Sequence, residues 1–145
     1  LEAVPAPNTE DKASKVIGLS LADASPSVVE SAVKDLINAQ NPDGGWSQLS
    51  KQPRDAHATG IALYAIVAHG SKFANQTAVK KAVDYLVRTQ DEDGSWYVAK
   101  RASPWNTYFD AGFPHGVSQY TSFNATCWAV AGLACAAGTE KVAAR

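Results

Sequence analysis

The chain has 145 residues, enough for one domain with its own core and no disulfide or metal support. It is 46% hydrophobic and 19% charged, and thirteen basic against fourteen acidic residues give a net charge of −1. These values exclude a disordered tail and a basic nucleic-acid-binding domain, and the longest uncharged apolar run, Cys127 to Ala137, is too short for a transmembrane segment.

Residues 1–9 carry two prolines and no helical period, as a linker or mature N-terminal tail would, and residues 10–145 form a single helical domain. The chain contains no methionine, as expected of a processed or excised polypeptide. No apolar stretch of a secretory signal is present in it. A first helix is predicted over roughly Glu10–Ala22, containing Val16, Ile17, Leu19 and Leu21 and with no Trp turn after it. Ser25 before Pro26 is an N-cap followed by proline at the first helical position. The helix it opens places Val28, Val29, Ala32, Val33, Leu36 and Ile37 on one face. Asn41-Pro42-Asp43-Gly44-Gly45 stops it, and Trp46 follows. Asp55–His69 is apolar nearly all round and should be a buried inner helix.

From Gln76 a second amphipathic helix presents Val79, Ala82, Val83, Leu86 and Val87, then stops at Asp91-Glu92-Asp93-Gly94 before Trp96. A segment from Tyr97 to Tyr120 comes next, and Ser122–Ala137 is predicted as another inner helix, buried all round. Cys127 and Cys135 are separated by eight residues of that helix, a rise of about 12 Å. That is too far for a disulfide, so they do not report the compartment.

The chain repeats itself. Ala32 to Trp46 aligns without a gap on Ala82 to Trp96 at an offset of 50. Ala58-Thr59 matches Ala125-Thr126 at an offset of 67, so the second unit carries an insertion after its Trp.

Leu36-x3-Gln40-x3-Gly44-Gly45-Trp46 and Leu86-x3-Gln90-x3-Gly94-Ser95-Trp96 resemble the QW repeat of the squalene–hopene cyclase and prenyltransferase superfamily. The resemblance covers about Ala24 to Gly138. It implies an all-α fold: a partial α/α toroid of about two and a half helical hairpins with a long aromatic loop. Inner helices would line a cavity and outer helices surround them. It also implies structural roles for Gln40, Trp46, Gln90 and Trp96. Each Gln would bind at the start of a neighbouring helix, and each Trp would stack against it. The runs Thr9-Glu10-Asp11-Lys12, Asp43 to Leu49, Asp93 to Val98 and Tyr108-Phe109-x2-Gly112-Phe113-Pro114-His115-Gly116 are similar to one narrower domain type. That type is the C-terminal domain of larger exported bacterial proteins carrying ankyrin repeats or a c-type haem segment. It implies a periplasmic or extracellular location. No Cys-x-x-Cys-His is present to attach haem here, and no cofactor is expected.

The chemistry of the superfamily finds few residues to carry it. The run nearest to an Asp-x-Asp-Asp acid motif is Asp91-Glu92-Asp93, which falls in a turn where an Asp before Gly caps backbone. A partial toroid cannot enclose a long polyprene and shield a carbocation from water. Zinc would have to draw on Asp55, His57, His115 and Cys127, which lack local metal spacing. Cys127, in an Ala-rich helix, is expected as a small buried apolar residue. The Asp91-x-Asp93 turn lacks the Glu that closes a calcium loop.

The insertion holds the candidate binding residues Trp105, Tyr108, Phe109, Phe113, His115 and Tyr120. Long loops in compact domains are commonly functional, and aromatics with polar tips suit contact with a ligand or partner. The same loop could instead fold back and plug the end of the toroid. Two function classes follow. The first is a non-catalytic interaction module, meeting another protein chain or a second copy of itself through apolar end faces. The second is a ligand-binding or enzymatic domain with an aromatic pocket for an isoprenoid or glycan.

Overall fold

The structure is a computed structural model and describes residues 2–101 and 108–143. The described residues form an all-α fold of five helices with one two-stranded ribbon. Helix α1 spans Thr9–Leu21. Its N-cap is Asn8, whose side chain accepts from the Asp11 N–H, so the helix starts one residue before the boundary the sequence implied. Glu10 and Asp11 in the first turn complement the helix dipole. Lys15 Nζ donates to the carbonyls of Glu2 and Val4 and lays the tail along α1.

Helix α2 spans Pro26–Asn38 and buries Val29, Ala32, Val33 and Leu36. Ser25 sits at its N-cap but makes no side-chain cap bond; its carbonyl instead receives the N–H groups of Val28 and Val29. Strands β1 (Trp46–Ser47) and β2 (Arg54–Asp55) pair antiparallel, Trp46 opposite Asp55. They deliver the chain to α3 (Ala56–Tyr64), where Asp55 caps by accepting from the Ala58 N–H. Helix α3 widens into a π-turn over Ala65–His69. Every residue from Ala56 to Leu63 is buried, so this inner helix is enclosed all round, as its composition predicts.

Helix α4 spans Gln76–Arg88, capped by Asn75 through the N–H groups of Thr77 and Ala78. Its buried face is Ala78, Ala82, Tyr85 and Leu86. That face is rotated from the periodic reading, for Val79 and Val83 are half-buried and Val87 is exposed. Tyr85 accounts for the difference: its ring lies over Gly45, where an added Cβ would stand 2.8 Å from Cε2. Burial, followed by the nearby carboxylates of Asp43 and Asp55, pushes the Tyr85 phenol above its usual range.

Helix α5 spans Gln119–Ala143, longer at both ends than the predicted Ser122–Ala137. It runs unbroken through Cys127 and Cys135, which are both free thiols. Helices α3 and α5 cross closely through Gly60 and Gly132. A Cβ on Gly60 would stand 2.4 Å from the Trp128 carbonyl carbon, and one on Gly132 would stand 2.8 Å from the Gly60 oxygen. Unlike α3, however, α5 is not enclosed. It buries Gln119, Ser122, Ala125, Ala129, Gly132 and Ala136, while Tyr120, Phe123, Cys127, Val130, Ala134 and Ala137 are exposed. The expectation of all-round burial, and of a buried Cys127, is corrected here. Helix α3 packs against α1, α4 and α5, whereas among the described residues α5 packs mainly on α3, with a smaller contact to α4.

Candidate functional site

The two Trp turns are built alike and end differently. Trp46 Nε1 donates to the Leu36 carbonyl at 2.9 Å, and Trp96 Nε1 donates to the Leu86 carbonyl at 2.9 Å. Each indole thus satisfies a carbonyl in the last turn of its own preceding helix. The Trp46 N–H donates to Thr59 Oγ1 of α3, and the Trp96 N–H to Thr126 Oγ1 of α5. Gln40 Nε2 donates both to the Gly44 carbonyl and to Ala78 in the first turn of α4. Gln90 Nε2 donates to the Gly94 carbonyl within its own turn. Both glycines are left-handed, Gly44 at φ +95° and Gly94 at φ +82°. At Gly44 a Cβ would lie 2.2 Å from the Lys81 oxygen, while at Gly94 the nearest atom, Gln90 Nε2, is 3.8 Å away. The first turn therefore clasps the next helix. The second clasps itself and faces outward.

The insertion covers the start of α5. Its first limb is strapped down by backbone bonds: Val98 N–H to Ser122 Oγ, Lys100 N–H to Ser118 Oγ, and Thr121 Oγ1 to the Val98 carbonyl. Val98 is buried and Arg101 pairs with the buried carboxylate of Asp55. Trp105 lies outside the described residues. The returning limb is pinned by Gln119, a fully buried side chain whose Oε1 accepts from the Ala111 N–H at 2.6 Å and whose Nε2 donates to Tyr108 Oη at 2.7 Å. Tyr120 Oη donates to the Phe109 carbonyl. So the limbs fill part of the core, yet Tyr97, Tyr108, Phe109 and Tyr120 keep about half or more of their surface exposed. The rings of Phe113 and Phe123 meet edge to face at 5.4 Å, and His115 stands edge-on to Tyr97 at 5.3 Å.

Sequence reasoning gave no role to Gln119 or Ser95. An amide buried to this depth has two donors and two acceptor sites to satisfy, and burial, which one sequence does not show, is what marks it. Replacing Gln119 by leucine removes its two bonds and hands the exposed Ala111 N–H and Tyr108 hydroxyl to water, at a cost of about 1–3 kcal/mol for the pair. We expect faster proteolysis within residues 97–118 while far-UV circular dichroism keeps its helical signal. Cleavage at the wild-type rate would show that Gln119 does not hold the limb.

His115, in the left-handed region at φ +81°, brings its Nε2 within 2.7 Å of Ser95 Oγ, and Asp91 lies 3.7 Å from the same nitrogen. This is not a nucleophilic triad. A triad needs the carboxylate on the other ring nitrogen, whereas here Ser95 Oγ also lies 2.6 Å from Asp93 Oδ1. The two bonds from Ser95, first its hydroxyl and then its N–H, hold the Asp93 carboxyl below its ordinary value of 3.8. An acid that must protonate a substrate needs the opposite shift. Since the folded value lies below the unfolded one, this contribution is present above pH 3.8 and is lost as pH falls through the depressed value. In an NMR pH titration the Ser95 amide should shift below pH 3.8, and Asp93→Asn should abolish that shift. A midpoint at or above 3.8 would contradict it.

The zinc candidates are dispersed. Asp55 caps α3, His57 Nδ1 lies 3.1 Å from Gln48 Nε2, His115 joins the second turn and Cys127 faces outward. Among the described residues no three His, Cys, Asp or Glu side chains stand together to hold a metal. Clefts of about 310 Å³ between α1 and α2 and about 460 Å³ between α4 and α5 are lined by no aromatic residue of the insertion. No helix among the described residues is long and apolar enough to cross a membrane.

The family model described as the squalene-hopene cyclase C-terminal domain matches residues 11–131. A squalene–hopene cyclase of Zymomonas mobilis is 33% identical over 110 residues, covering 63% of this chain and 15% of the cyclase. A drimenyl diphosphate synthase of Streptantibioticus cattleyicolor is 37% identical over 65 residues, covering 45% of this chain and 12% of the synthase. This chain therefore spans a small fraction of the length of the relatives it matches. A solved structure of a possible GH105 family member from Salmonella enterica superposes with a TM-score of 0.54 at 18% identity, over 88% of this chain and 39% of that one. That likeness is one of fold.

Proposed function

The chain belongs to the squalene–hopene cyclase C-terminal domain family, and on that premise we propose that it works as a non-catalytic helical-repeat interaction module. In this reading it is a subunit or domain of a larger exported bacterial protein, acting in the periplasm or outside the cell. The observation that carries the association role is the contrast between α3 and α5. The two helices share the Ala-Thr pair that receives a Trp N–H, so they are equivalent elements. One is enclosed all round and the other leaves an uncharged apolar face in solvent. An apolar face of that extent on a helical repeat needs a cap or a partner.

The competing reading is a pocket for an isoprenoid or glycan, favoured by the exposed rings of Tyr97 and Phe123 beside the half-buried Phe113. Light scattering with native mass spectrometry on the purified chain separates the two. An assembly larger than a monomer, formed through α5, supports the module. A monomer that retains an isoprenoid-sized molecule, or that turns over squalene, would overturn it.

A further inference from the structure

We propose that α5 pairs antiparallel with the α5 of a second copy of this chain, across a two-fold axis between Cys127 and Val130. The proposal rests on the association role argued above and specifies its partner. Three observations carry it.

The first is spacing. The exposed residues Tyr120, Phe123, Cys127, Val130, Ala134 and Ala137 recur at intervals of three and four. That is the seam of a two-helix coiled coil, in which side chains of one helix fill holes on the other. The seam runs about 26 Å along the helix. No Asp, Glu, Lys or Arg occurs between Asp110 and Glu140. The face thus carries no charge to be stranded by burial.

The second is a gradient of size. The seam begins with two rings, each about half exposed and touched by the insertion through the Phe109 carbonyl and the Phe113 ring, passes through Cys127 and Val130, and ends with two alanines. A second helix in the same direction would set ring against ring at one end and leave a gap at the other. A reversed copy sets Tyr120 opposite Ala137, Phe123 opposite Ala134 and Cys127 opposite Val130. The surface is then complementary to itself, which a two-fold interface demands.

The third concerns the opposite end of the domain. There Lys12 pairs with Asp35 across α1 and α2, and Lys15 holds the tail. Head-to-tail stacking would press the uncharged α5 face onto these charged groups. A closed pair of copies avoids that contact, whereas an open array requires it.

Sedimentation velocity of the 145-residue chain from about 1 to 100 µM, the range of moderate protein affinities, tests the proposal. A dimer is expected. Val130→Glu, at an exposed position, should keep its helical circular dichroism and weaken the dimer by about thirty-fold or more, as loss of a central anchor does. Ala134→Phe alone should weaken it by placing ring against ring. Phe123→Ala combined with Ala134→Phe should restore it, because the swap reverses the gradient at two facing positions together. A dimer indifferent to Val130→Glu, or a swap that fails to restore association, overturns the antiparallel pair. A monomer that binds a different polypeptide through α5 also overturns it, although the association role then stands. A monomer holding a small molecule and no polypeptide removes both.

Discussion

Replacing Trp46 by alanine will lower stability by about 3–5 kcal/mol, the range for deleting a fully buried large aromatic. The side chain has no solvent exposure, and its ring fills the joint among α2, β1 and α3. Two losses add. The ring leaves a cavity too large for the joint to close, and the Leu36 carbonyl loses the indole N–H that satisfies it. Trp96→Ala should cost a similar amount, because Trp96 is almost as deeply buried and bonds the Leu86 carbonyl in the same way. Trp46→Phe separates the terms, since it keeps most of the ring and removes the donor. It should cost less than half as much as the alanine variant. Urea unfolding followed by circular dichroism measures all three without relying on the deleted fluorophore. A loss below about 1 kcal/mol for Trp46→Ala would place its ring outside the cooperative core, against the usual cost of such a deletion.

Gly60→Val is expected to cost about 3 kcal/mol, at the upper end for overpacking a filled interface. The obstacle is backbone: the new Cβ would meet the Trp128 carbonyl carbon and the Ala129 nitrogen. No rotamer change relieves such a clash, so α3 and α5 must move apart. Gly60→Ala is the more discriminating variant. Alanine gains about 1 kcal/mol over glycine in a helix interior, and a net loss would show that crowding outweighs propensity. Gly138→Ala is the control. It lies in α5, the partner helix of the crossing, a Cβ there meets nothing within 4 Å, and the propensity gain should appear undiminished. If Gly60→Ala stabilises as much as Gly138→Ala, the close crossing is wrong.

Helical periodicity located α2 and α4 well, because one apolar face in two amphipathic segments is a strong local signal. It misplaced the inward face of α4, since Tyr85 turns inward to cover Gly45 and Val87 turns out. Propensity and pattern carry no information about what lies opposite a helix. The same blindness explains α5. Between Ser122 and Ala137 its sequence is uncharged and rich in alanine, as that of α3 is, and the arrangement of neighbours distinguishes enclosed from exposed. The repeated Ala-Thr pair was visible at an offset of 67, but the role of its hydroxyl, receiving a Trp N–H, required coordinates. Among the candidate binding residues, Phe113 and His115 come together at 6.4 Å between ring centres, and Tyr108 and Tyr120 brace the loop through their hydroxyls. Gln119, the pin between them, carries no mark in the sequence, because a glutamine without a burial value looks like solvated surface.

The α3–α5 crossing also bears on how the molecule comes into being. Tyr64 closes the last regular turn of α3, and α5 does not start until Gln119. During translation, then, the apolar flank of α3 emerges long before the helix that seals it. Non-local contacts of this kind form late, and nascent chains that await them expose sticky surface in the meantime. Helix α1, α2 and the first Trp turn can collapse early on the other flank of α3. The growing polypeptide should therefore pass through a half-built state with α3 open on one side, and α5 would be the element whose arrival releases it from chaperone surveillance.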